Sequence, residues 1–225
     1  MPGPANITLE QLNALAEETG LRTASGRPVR FVPPSPSDPY YEIQVYETGR
    51  VHTRQGNRHD LFNALAWLAF PRTKAALNAL HAAQIPLERG RRGRSRDLLT
   101  IFDEGGAIAA CEDPLLENLI REFRWQELFW DNRERLKQEL RILVVGHAVL
   151  EKALEPFPGI TCKVVFAARD RPADDQAADW LMAHAPRGTP RDLAPLPVFG
   201  YPGWFPGNDR PEFYADARVF RARSR

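Results

Sequence analysis

Apolar residues recur at helical spacing in two adjoining stretches of this chain. Across residues 58–69, Leu61, Phe62, Leu65, Leu68 and Ala69 gather on one side of a helix turning about 100° per residue. Asp60, Asn63, Ala64 and Trp67 gather on the other side, with His59 at its edge. Across residues 72–83, Lys74, Asn78 and His81 fall at i, i+4 and i+7 as a polar stripe, with Leu77 and Leu80 turned aside. Pro71 separates the two helices, because proline suits a first helical turn and breaks an interior. An indole beside two small polar side chains predicts either a helix covered on both sides or a helix whose second face lines a pocket.

The remaining pattern completes an α+β chain. Thr8 is a candidate N-cap for a helix running to about residue 19, and a proline-rich irregular arm follows. The alternation in "YYEIQVYETGRVHTR" predicts a hairpin about Thr48-Gly49, and "LLTIFDEGGAIAAC" predicts a second one about Asp103-Glu104-Gly105-Gly106. Residues 114–154 read as helical with a break near 141–146, residues 160–168 as a strand, and residues 173–185 as a further helix. The expectation is a single domain over 1–225: a helix and Pro-rich arm at 1–39, a core at 40–190 and a wrapping extension at 191–225. Its sheet is expected to be small and mostly antiparallel. The extension is rich in Pro and Gly but too aromatic for a disordered tail.

Composition narrows the function classes. The 225 residues are 43% hydrophobic, enough for a sizeable core, and 30 basic against 29 acidic residues give a formal charge of +1. No global field points to nucleic acid or an anionic membrane surface. Arg89, Arg91, Arg92, Arg94 and Arg96 form a basic run without interleaved aromatics, so nucleic acid is a partner to consider but not the favoured one. Cys111 and Cys162 lack the spacing of a zinc or redox motif and read as reduced core thiols. No signal-peptide pattern or membrane-length apolar run occurs, which places the protein in the cytoplasm, away from membranes.

Several side chains could carry chemistry. His59, Asp60, Asn63, Lys74, Asn78 and His81 could orient a substrate or transfer protons near neutral pH. Asp60 would serve equally as a first-turn partner for an Asn57 cap. His147 and Glu151, four apart on one helical face, could be ligands of a divalent metal, joined by Asp103 and Glu104 from the predicted turn. The bland readings are an i, i+4 surface pair and ordinary turn carboxylates.

The strings "HDLFNALAWLAFPRTKAALNALH", "LLTIFDEGGAI", "GHAVLEKAL" and "LPVFGYPGWFPGN" with "FYADARVFR" together resemble an uncharacterised bacterial family, the domain of unknown function numbered 3025. The resemblance covers most of the chain from about residue 40 onward. It implies one full-length domain whose characteristic strings coincide with the polar stripes, and it implies no activity. A weaker similarity links "GNRHDLFNALAWL" to the helix-entering part of His-Asn-His nucleases, with His52 the histidine in a suitable hairpin position. The leading expectation is a metal-dependent hydrolase or phosphoryl-transfer enzyme. The rival is a non-catalytic binding module whose polar residues form a buried structural network.

Overall fold

A computed structural model describes residues 7–36, 40–88 and 93–222. The fold is α+β, and the chain divides into two compact units, Met1–Asp103 with Ala178–Pro190 and Glu104–Ala177 with Arg191–Arg225.

In the first unit, α1 (Leu9–Glu18) begins at Thr8. The Thr8 side chain accepts from Gln11 N, and the Gln11 side chain accepts from Thr8 N, so two helix-end donors are satisfied reciprocally. Next come β1 (Arg30–Val32), α2 (Tyr41–Thr48), β2 (Arg50–His52), α3 (Arg58–Ala69), α4 (Pro71–Gln84) and α5 (Arg94–Gly105). Asn57 caps α3 by accepting from Asp60 N at 2.9 Å, and Pro71 opens α4. Leu12, Phe31, Val45, Val51, Leu61, Ala64 and Trp67 share the core. Helix α3 is therefore buried on its Ala64/Trp67 side as well as at Leu61, with Leu65 and Leu68 packed at the margin.

The two predicted hairpins are not formed. Residues 41–48 are helical, because the apolar positions that alternate also fit a helix, and Gly49 at φ 75° ends that helix in the left-handed conformation glycine tolerates. A Cβ on Gly49 would also lie 2.1 Å from Pro28 O. Strand β2 pairs instead with β1, from the Pro-rich arm, and does so in parallel. Residues 98–105 continue α5, whose Leu98, Leu99 and Phe102 are buried at helical spacing, and Gly105 leads directly into β3 (Gly106–Ala110) without a turn.

In the second unit, β3 joins β4 (Arg141–Val144), β5 (Thr161–Ala167) and β6 (Ala194–Pro197) in the order β4-β3-β5-β6. Strand β3 runs parallel to β5 and antiparallel to β4, and β6 runs antiparallel to β5, so the sheets are mixed, not purely antiparallel. The parallel pair is bridged by a long connection containing α6 (Pro114–Arg121), α7 (Arg133–Glu139), β4 and α8 (His147–Lys152), as parallel geometry requires. The break expected at 141–146 is β4 itself. Helix α9 (Ala173–His184) follows β5, and its residues from Ala178 onward belong to the first unit.

The C-terminal extension is ordered. Val198, Phe199, Tyr214 and Phe220 are buried in the cluster that contains Leu116, Leu119, Leu128 and Phe129, whereas Trp204 stays 38% exposed. Buried Asn208 pins it, donating from Nδ2 to Phe199 O at 2.9 Å and Tyr201 O at 2.7 Å. Among the described residues no helix is long and apolar enough to cross a membrane.

Candidate functional site

Four helices of the first unit bring a polar cluster together. Helix α2 supplies Tyr41 and Glu42, α3 supplies Asn63 and Trp67, α4 supplies Lys74, Asn78 and His81, and α5 supplies Arg96 and Asp103. The stripe on α4 is buried, not solvated: Lys74, Asn78 and His81 are 3%, 3% and 4% exposed. An ammonium this deep requires compensation. It has an ion pair with Asp103, a hydrogen bond to Asn63 Oδ1 at 2.8 Å, and the Trp67 ring centre at 5.8 Å. Asn63 in turn donates from Nδ2 to the Tyr41 hydroxyl at 3.2 Å.

The second arm of the cluster runs through Asn78. Its Nδ2 donates to Glu42 O and to Glu42 Oε2, each at 2.9 Å. Burial pushes the Glu42 carboxyl up to about 7, against the opposing pull of that hydrogen bond and of Lys74. Burial likewise pushes the Tyr41 phenol upward, so it stays a neutral donor and acceptor. The third arm is ionic. Arg96 donates to Glu88 Oε2 at 2.6 Å, to the Tyr40 hydroxyl at 2.9 Å and, from Nε, to His81 Nδ1 at 3.4 Å.

These side chains enclose a cavity of about 10 Å³, lined by Tyr41, Glu42, Val45, Trp67, Lys74, Leu77, Asn78, His81 and Asp103. Its floor is buried. Its margin includes Asp103, whose side chain is 21% exposed, and the half-buried Tyr41 and Glu42. The arrangement places an ammonium, a carboxyl that exchanges its proton near neutral pH, and an amide around one small polar space.

A family model described as "Protein of unknown function (DUF3025)" matches residues 29–224. The chain belongs to the DUF3025 family. No curated protein and no solved structure matches it. The matched span of this DUF3025 protein includes every residue of the cluster.

Of the residues anticipated from the DUF3025 sequence, Asn63, Lys74, Asn78, His81 and Asp103 lie in this one cluster. His59 and Asp60 are half-buried in the first turn of α3. Against the upward push of partial burial, hydrogen bonds from Arg54 Nε, NH2 and N hold the Asp60 carboxyl below its usual range. Asp60 is thus bound to the loop before α3. His147 is buried at the start of α8, with Glu151 half-buried one turn on and Glu104 exposed at the end of α5. Among the described residues no three His, Cys, Asp or Glu side chains form a metal-ligating group, and Asp103, expected as a ligand in a turn, is instead a helical residue paired with Lys74.

The basic run separates as well. Arg89, Arg91 and Arg92 lie outside the described residues, Arg94 is exposed, and Arg96 is a buried member of the cluster. His52, expected in a hairpin by the nuclease-like reading, sits on β2 in a parallel pair, its ring centre 5.5 Å from that of Tyr41. Sequence reasoning missed Tyr41, Glu42 and Glu88. The signal for the first two was Gly49: read as a helix C-cap, it makes residues 41–48 a helix and turns Glu42 from a strand surface residue into a neighbour of α4.

Proposed function

We propose that the first unit of this DUF3025 protein carries a hydrolytic centre in which Glu42 is the general acid–base group and Lys74 a fixed positive charge for an oxygen that gains negative charge during reaction. The observation that carries this reading is Glu42 itself. Its carboxyl is held at about 7, accepts one hydrogen bond from Asn78, and shares a small cavity with the Lys74 ammonium. A proton-transfer group works best when its pKa lies near the working pH, and burial is the means of raising a carboxylic acid to that range. Asp103 and Asn63 hold Lys74 in place, so its charge is oriented before a substrate arrives. Phosphoryl transfer would use the same pair of groups. The two buried, unpaired cysteines fit a reducing, cytoplasmic setting.

The rival, a binding module with a structural polar network, is favoured by the internal pairing of Lys74. Wild type and Glu42→Gln, assayed against chromogenic phosphate and carboxylic esters, separate the two. The hydrolytic reading expects turnover with a pH limb near 7 that Glu42→Gln removes, while the variant's melting temperature holds at about pH 5, where Glu42 is protonated. Background rates in both proteins, with a lower melting temperature for Glu42→Gln, establish the structural network instead.

A further inference from the structure

We propose that the cavity beside Asn78 is a binding site for a single water molecule, and that this water is the nucleophile of the reaction; its role as nucleophile rests on the hydrolytic reading above. Asn78 is 3% exposed. Both partners of its Nδ2, Glu42 O and Glu42 Oε2, are acceptors, which fixes which end of the amide faces Glu42. The other end, Oδ1, is a fully buried acceptor without a partner among the described residues. Buried carbonyl-type oxygens are rarely left so, and the group that satisfies one is an O–H or N–H donor.

Size and charge decide which donor. The enclosed space beside Asn78, about 10 Å³, holds one water-sized molecule, and the pocket opens at its Asp103 margin, where an ester would approach. An ammonium ion would meet the Lys74 ammonium across the same cavity, and an anion would meet Asn78 Oδ1 and the Glu42 carboxylate. A neutral molecule that both donates and accepts fits: water gives one hydrogen to Asn78 Oδ1 and presents the other to Glu42.

The step then balances without another reagent. The Glu42 carboxylate takes one proton as the water O–H bond breaks, and the water oxygen bonds to the acyl carbon or phosphorus of an ester. The bond from that centre to the leaving oxygen breaks, and the leaving oxygen receives the proton from Glu42. Asn78 touches the water and positions it, which makes it a positioning residue.

High-resolution crystal structures of the full wild-type chain and of Asn78→Leu, with ester turnover for both, test this. The expected result is an ordered oxygen within hydrogen-bond distance of Asn78 Oδ1 in the wild type. In Asn78→Leu that oxygen is expected to be gone, with kcat lower by roughly 100-fold or more and KM within about twofold. A wild-type map without ordered oxygen at Asn78 overturns the site, whether or not the variant folds. An ordered water with kcat unchanged in Asn78→Leu overturns the nucleophile role. An ordered water in a protein that turns over no ester supports the site and removes the hydrolytic reading.

Discussion

Asn13 stands in for a neighbouring strand at Phe31. Its Oδ1 accepts from Phe31 N at 2.8 Å and its Nδ2 donates to Phe31 O at 2.9 Å, so one side-chain amide completes the hydrogen bonding of β1 on the side away from β2. Gln176 does the same for Ala168 just past β5, accepting from its N and donating to its O at 2.9 Å each. Strand edges left open invite pairing with other chains, and a short strand closed by a side chain avoids that. Asn13→Ala removes both bonds and should cost about 1–2 kcal/mol in urea unfolding. Asn13→Asp, which keeps the acceptor alone, should fall between it and wild type. Equal midpoints for all three proteins would show that solvent replaces the amide without loss.

The Lys74–Asp103 pair predicts an asymmetry. Lys74 has a side chain only 4% exposed, while that of Asp103 is 21% exposed. Asp103→Ala leaves a buried ammonium with Asn63 as its remaining acceptor, and the expected destabilisation is about 2–4 kcal/mol. Lys74→Met leaves a carboxylate that water can reach and places an apolar chain against Trp67, so its cost should be under about 1 kcal/mol. Denaturant midpoints for the two variants decide. A larger loss for Lys74→Met would mean that the ammonium itself holds the four helices together.

Glu42 makes the stability of the first unit pH-dependent in a direction opposite to that of an ordinary paired carboxylate. Its folded-state pKa, about 7, is raised above the ordinary 4.5 by burial, so the native state prefers the protonated acid. The stabilisation is fully present below the unfolded value and is lost as pH rises through about 7. The lowered carboxyls, Asp60 and Asp113, act in the other direction and lose their contribution only in acid, where the pH falls through their depressed values. The difference between wild type and Glu42→Gln isolates the Glu42 part. It should shift by on the order of 3 kcal/mol between about pH 4.5 and pH 8 in favour of the glutamine variant at the higher pH. Parallel stability curves would show that Glu42 titrates as an exposed acid.

What the sequence disclosed follows from where local signals are unambiguous. Helices α3 and α4 were legible because Pro71 and Asn57 mark ends that few other structures tolerate. Thr8, as a candidate N-cap, marked the start of α1 in the same way. The α4 stripe was legible as a pattern but not as buried, since burial of Lys74 depends on Asp103 and Asn63 from other helices. Residues 41–48 misled because Tyr41, Ile43 and Val45 alternate, and β-branched residues at that spacing also suit a strand. In residues 98–111 the string Asp-Glu-Gly-Gly has the composition of a turn, yet the helical spacing of Leu98, Leu99 and Phe102 prevails. Both errors hid parts of the cluster: the first removed Glu42 from view, and the second placed Asp103 on a turn.

The C-terminal extension supplies side chains to the core of the second unit, and the size of its contribution can be ranked residue by residue. Tyr214 is 4% exposed, its ring stacks on Phe129 with centres 5.9 Å apart, and its hydroxyl lies 2.7 Å from Asn208 O and 3.0 Å from Gly200 O. Gly200 itself has no room for a side chain, since a Cβ there would meet the Phe129 ring at 2.5 Å. The extension is thus fitted to Phe129 from two directions. Trp204→Ala, at a 38% exposed position, should cost under about 1 kcal/mol, and Tyr214→Phe about 1–2 kcal/mol through loss of a buried hydroxyl that also accepts from Arg133. Tyr214→Ala adds a cavity and should cost about 3–5 kcal/mol. Truncation after Leu196 also removes Val198, Phe199 and Phe220, each contributing about 2 kcal/mol of burial, and the sum rivals the whole stability of a typical domain. The truncated chain is therefore expected to lose the near-ultraviolet circular dichroism of the second unit's aromatic cluster. Retention of that signal with an unchanged melting temperature would mean that residues 106–167 pack their core without the extension.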